Sequence, residues 1–148
     1  MNKRPATTWL AALLLFAAAW PGTATDREPL KAVQVFVAFG QLVSPAEREG
    51  YLRERAGTPV EGAGAVEALL PRTYYDTSVP DRNPGVLLLQ VSPGRKVACG
   101  LPRLPDAEDR NDLREGTRVS FRGTLVDAHD WGEWTTLYLA DCSVVGLP

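Results

Sequence analysis

The stretch that most constrains the fold is "TRVSFRGTLVDAHDWGEWTTLYLADCSVV", residues 117–145. In its first half Val119 and Phe121 fall on one side of an extended chain, and Arg118, Ser120 and Arg122 on the other. That period of two reads as a strand with one wall in a core and one in water. "HDWGE" breaks it with Gly132, and "EWTTLYLADCSVV" resumes it. The pair is a β-hairpin.

Upstream, "PGVLLLQVSPGRKVACGLP" holds a second hairpin, with apolar runs Val86–Val91 and Val97–Leu101 about the turn "SPGR". "TPVEGAGAVEALLPRTYY" reads as another strand, where Gly62 and Gly64 mark a bend, a bulge or a close backbone approach. Between the hairpins, "PDAEDRNDLREG" reads as a loop with a short helix. "SPAEREGYLRERAG" predicts a helix over 45–56: Ser44 caps it, Pro45 takes the first position, Glu47 completes a capping box, and Gly57 follows the end. Its charged face belongs on the surface. "AVQVFVAFGQLV", residues 32–43, fits a strand and a helix equally well.

The order is helix, strand, hairpin, short helical connection, hairpin. Five strands suit a closed sheet, which removes the exposed edges that invite aggregation. With a helical connection after the third strand, the order matches the five-stranded Greek-key OB barrel. The expected fold is therefore mainly β, an OB-fold barrel over 57–148 with an N-terminal helical segment over 25–56.

Residues 1–24, "MNKRPATTWLAALLLFAAAWPGTA", have a basic start, an apolar run from Trp9 to Trp20 and a small-residue site. This is the pattern of a secretory signal peptide, with cleavage expected after Ala24. A span needs roughly 20 apolar residues, more than this run supplies; a retained anchor is the other reading. The mature chain would carry 14 basic and 18 acidic side chains. A mildly acidic domain is a poor general partner for nucleic acid. Export would place Cys99 and Cys142 in an oxidising compartment, which favours a bridge over two buried thiols. Two cysteines and one histidine are too few for a zinc site.

No catalytic constellation is found. His129 has Asp127 and Asp130 beside it, but no Gly-x-Ser-x-Gly elbow, Walker loop or dinucleotide fingerprint accompanies it. In its polar turn it is expected to be a surface residue. The acidic group Asp106, Glu108, Asp109 and Asp112 lacks calcium-loop spacing. No enzyme activity, cofactor or metal is expected. Trp131 and Trp134 lie in the loop between the last two strands, one of the loops OB folds use for binding. Trp131 is expected to be exposed and Trp134 packed. Arg118 and Arg122 share the outer face of the fourth strand and form, with that loop, the candidate binding surface.

The segment from Gly57 to Val145 also resembles the exported bacterial OB-fold proteins called tRNA_anti-like. The matching residues are Gly57, Val60, Gly62, Gly64 and Val66; Val97 and Cys99; Leu113, Gly116, Val119, Phe121 and Gly123; and Leu139, Cys142 and Val144. The resemblance implies a fold, and fold does not carry function. The family name records likeness to an anticodon-binding barrel, which an exported protein would not use on cytosolic tRNA. It also implies that strand 3 lies beside strand 5, so that a Cys99–Cys142 disulfide would staple the barrel. The expectation is a periplasmic, non-catalytic binding module for a protein or envelope component. The alternative is an oligonucleotide- or oligosaccharide-binding protein using strand 4 and the 4–5 loop. An exported nuclease is a third, weaker reading, since no paired carboxylates accompany the arginines.

Overall fold

The computed structural model describes residues 27–72 and 78–148. The expected leader and its cleavage site, and the end of the "RTYY" stretch, lie outside the described residues. The elements are β1 (Leu30–Lys31), α1 (Ala32–Gly40), α2 (Pro45–Arg55), β2 (Pro59–Pro71), β3 (Gly85–Ser92), β4 (Arg95–Leu101), α3 (Ala107–Asp112), β5 (Arg118–Asp130) and β6 (Thr135–Gly146).

The sheet runs β1–β2–β3–β4–β6–β5, and β5 pairs again with β2. Five strands therefore close into a barrel of the OB type, and β1 adds a short sixth strand, parallel to β2. Closure depends on β2, whose first half pairs with β5 and whose second half pairs with β3. The two partnerships meet at Ala65. The glycines before it explain how. A side chain on Gly64 would begin 2.8 Å from the carbonyl oxygen of Gln90, and one on Gly62 would meet the Phe121 ring at 3.0 Å. The glycines mark close approach.

The inward side chains follow the alternation. Val119, Phe121 and Leu125 of β5 join Leu87 and Leu89 of β3, Val97 of β4, and Leu137 and Leu139 of β6 in one buried cluster. Cys99 and Cys142 belong to it and form the disulfide. Their Cα atoms are 5.6 Å apart, across the parallel β4–β6 pair. That is within the range a disulfide spans.

The ambiguous segment 32–43 is a helix. Ala32, Val35, Phe36 and Phe39 are buried on one face, the spacing of a helix that covers a core. A strand would have sent Phe36 away from Val35 and Phe39. The second helix is as expected at its start: Ser44 Oγ accepts from the Glu47 amide at 3.1 Å. The Glu47 carboxylate returns to the Val43 amide rather than to that of Ser44. Gly57 has φ +86°, so the chain leaves α2 through a left-handed residue. α3 is capped by Asp106, whose carboxylate accepts from the Asp109 amide at 2.8 Å. One carboxylate of the acidic group thus serves the backbone. Among the described residues no helix is long and apolar enough to cross a membrane.

Candidate functional site

OB barrels bind on the outer wall of their second and third strands and on the loops flanking it. Here that wall is β3 and β4, continued by β6. Its lower half is covered by the chain itself. Segment 78–84, after β2, folds back over it and buries Val79 against Val86, Ala98 and Tyr138. Contacts from Arg72 and Asp141 fix the segment. Arg72 Nε donates to the Val79 carbonyl at 3.0 Å, and Arg72 pairs with Asp81 at 2.6 Å. Asn83, fully buried, exchanges hydrogen bonds with Asp141: its Nδ2 donates to the carboxylate at 2.9 Å, and the Asp141 amide donates to its Oδ1 at 3.0 Å. Gly100 gives Asn83 and Val79 room, since a side chain there would lie 2.5 Å and 2.6 Å from them.

The upper half of the wall is polar. Strand register lays Lys96 of β4, Thr136 of β6 and His129 of β5 in one row, and Ala98, Tyr138 and Asp127 in the next. β5 continues through His129 to Asp130, so the histidine expected in a turn is a strand residue. Its ring sits edge-on to buried Tyr138, centroids 5.3 Å apart, and tilts against Trp131 at 5.5 Å. Asp127 Oδ2 lies 3.0 Å from His129 Nε2, and Ser78 Oγ lies 3.4 Å from the same nitrogen. A nucleophilic relay needs the acid on one ring nitrogen and the nucleophile on the other. Both partners on one nitrogen hold a ring in place without activating a hydroxyl.

The turn itself is rigid. The Trp131 amide donates to the Trp134 carbonyl at 2.8 Å, Gly132 takes φ +91°, and the Gly132 amide donates to Asp130 at 2.9 Å. Arg48 of α2 pairs with the other Asp130 oxygen at 3.2 Å while lying over the Phe39 ring. The N-terminal helices therefore brace the turn. The pair also offsets the Asp130 charge beside Trp131.

Trp131 is 52% exposed, as expected. Trp134, expected to pack, is 37% exposed: the turn ends before β6 begins, so its ring stays on the rim. Lys96 Nζ lies 4.8 Å from that ring's centre and pairs with Glu67 at 2.9 Å. Thr136 Oγ1 and Glu67 Oε2, around this row, are buried and have no hydrogen-bond partner among the described residues. Sequence reasoning missed Glu67, Thr136, Tyr138 and Ser78, because only pairing across strands brings them together. Lys96 is visible in the sequence as one of the basic residues Arg95, Lys96, Arg118 and Arg122, but only the fold sets it beside Trp134.

Arg118 and Arg122 are exposed on β5 but stand at its other end. Nine residues separate Arg122 from Trp131, on the order of 30 Å of strand. Arg122 borders a separate shallow groove of about 510 Å³ with Lys31, Glu61, Ser120 and Ser143. Lys31 and Glu61 pair there at 2.5 Å, and that contact, first of all, holds the Glu61 carboxyl below the usual range. The arginines and tryptophans do not form one surface. Among the described residues no group of acidic, histidine or cysteine side chains is placed to hold a metal ion.

No protein-family model and no curated protein matches the chain. Among solved structures, it is similar to OBody NL8 bound to hen egg-white lysozyme, at 18% identity and a TM-score of 0.34. The match covers 62% of this chain and 98% of that one. A likeness that distant carries no argument about what this chain does.

Proposed function

We propose that the protein is an exported, non-catalytic binding module of the bacterial cell envelope, and that it holds a protein partner through the β5–β6 turn. The observation that carries this is Trp131: a large half-exposed ring on a turn fixed by backbone bonds and braced from α2 by Arg48. Exposed, pre-organised tryptophans are the side chains most often found at the energetic centre of protein interfaces. Export and a periplasmic location are supported by the leader-like residues 1–24, by the Cys99–Cys142 bridge and by the resemblance to the tRNA_anti-like proteins.

An oligosaccharide is the second reading. His129, Asp127 and Ser78 lie beside the Trp131 ring, and an apolar ring flanked by hydrogen-bonding groups suits a sugar. Single-stranded nucleic acid fits less well, because the two basic residues placed for it stand at the far end of β5.

A photo-crosslinking residue at position 131, compared with one at position 122, tests the proposal in the producing cell. A discrete protein adduct from position 131 alone supports it. No adduct from position 131, with the purified protein retaining envelope glycan, would favour the second reading.

A further inference from the structure

β4 and β6 lie side by side for only part of their length. They pair in parallel from Arg95 and Thr135 to Cys99 and Leu139, the disulfide joins them, and then they part. β6 runs on to Gly146, and among the described residues β5 is its only strand partner there, Val144 opposite Phe121 and Gly146 opposite Val119. Among the described residues no backbone hydrogen bond joins this last part of β6 to residues 102–105 across the gap. Closure of the barrel stops at the disulfide, and the end of β6 is a sheet edge.

That edge borders a cleft of about 540 Å³. Leu101, Pro102, Leu113 and Val144 give it an apolar floor, and its charged lining is Asp109 and Asp112 of α3 with Arg103. The cleft exists because α3 is short: it has six residues and buries none of them, so only Leu113 behind it reaches the core. Among the described residues neither carboxylate has an ion-pair partner. An unpaired strand edge offers backbone donors and acceptors at the strand repeat, and side-chain pockets beside it select every second residue of an added strand. Two carboxylates against the one guanidinium of Arg103 leave the lining net negative, which favours a basic segment.

We infer that this edge takes an extended, basic peptide segment of a partner protein as an added strand, its apolar side chains on the cleft floor and a basic one facing Asp109 and Asp112. Four or five residues, about 15 Å of strand, would fill it. A second copy of this chain is disfavoured, because pairing two such edges would bring two acidic rims together. The site lies apart from the Trp131 turn and does not depend on the function proposed there.

Amide hydrogen exchange on the full mature protein tests this, with an amidated nine-residue peptide alternating valine and lysine as the probe. The expected result is slowing of exchange by tenfold or more at residues 143–146, and none with a peptide alternating valine and glutamate. Neutralising the rim with Asp109→Asn and Asp112→Asn should weaken lysine-peptide binding about tenfold while exchange in the free protein is unchanged. Equal protection by both peptides, protection confined to other strands, or no protection at a millimolar concentration of peptide would overturn the inference. So would self-association that protects the same residues without peptide. Crosslinking from position 131 is read separately, so failure here leaves the β5–β6 turn untouched.

Discussion

Arg82 grips Asp141 side-on: its Nε and Nη2 lie 3.1 Å and 2.8 Å from the same carboxylate oxygen, while Asn83 holds the other oxygen. Asp141 is the one described non-glycine residue with positive φ, 52°, and it sits where β6 gains an extra residue against β5. The bulge aims its carboxylate at segment 78–84. Asn83→Ala should cost about 1–3 kcal/mol, because it removes two hydrogen bonds worth roughly 0.5–1.5 kcal/mol each. Asp141→Ala should cost at least as much, since alanine also meets the left-handed penalty of roughly 1–2 kcal/mol. Asp141→Asn tolerates that backbone and should cost less. Urea unfolding of the three variants checks the order.

The same clamp predicts a pH dependence. The hydrogen bond from Arg82, then that from Asn83, holds the Asp141 carboxyl below its ordinary value of 3.8. A carboxyl depressed on folding adds stability that is fully present above 3.8 and is lost as pH falls through the folded value. The stability difference between the native chain and Asp141→Asn should therefore be constant from pH 7 to pH 5 and shrink below pH 3.8. Urea midpoints measured from pH 7 to pH 2.5 show it.

The disulfide links residues 43 apart. Reduction should lower stability by up to about 4 kcal/mol on the chain-entropy model, with the barrel retained by its closed pairing. Thermal unfolding with and without reductant reads the loss. A free-thiol assay of unreduced protein from the cell should find none.

Trp131→Ala should leave stability within about 0.5 kcal/mol, as expected for an exposed side chain, and abolish partner capture. Arg48→Ala should weaken capture without touching the partner, because it removes the brace on Asp130. Near-ultraviolet circular dichroism of Arg48→Ala, showing altered tryptophan signals at unchanged secondary structure, separates bracing from contact.

Much of the barrel was legible in the sequence because alternation and turn residues are local. Val119 and Phe121 announce an inner face, and Ser44 with Glu47 announces a helix start. Residues 32–43 were not legible, since Val33, Val35, Val37 and Phe39 fit a strand as well as Val33, Phe36, Val37 and Gly40 fit a helical face; the helix buries Ala32, Val35, Phe36 and Phe39 and leaves Val33 and Val37 exposed. Only the presence of an open core to cover decides between them. The site was half legible. Trp131 stood out as an aromatic in a turn, but Lys96, Thr136 and His129 become one row only through the β4–β6 and β5–β6 registers. Arg118 and Arg122 were joined to the tryptophans because they share a strand, and the length of that strand separates them.

We propose the β5–β6 turn, and not the arginine end of β5, as the binding surface. The most direct test is to quantify the complex captured by crosslinking in cells for Trp131→Ala and for Arg118→Ala/Arg122→Ala, each against the native chain. Loss of at least nine-tenths of the complex is expected for Trp131→Ala, and little change for the arginine pair. Loss with the arginine pair and retention with Trp131→Ala would contradict the proposal.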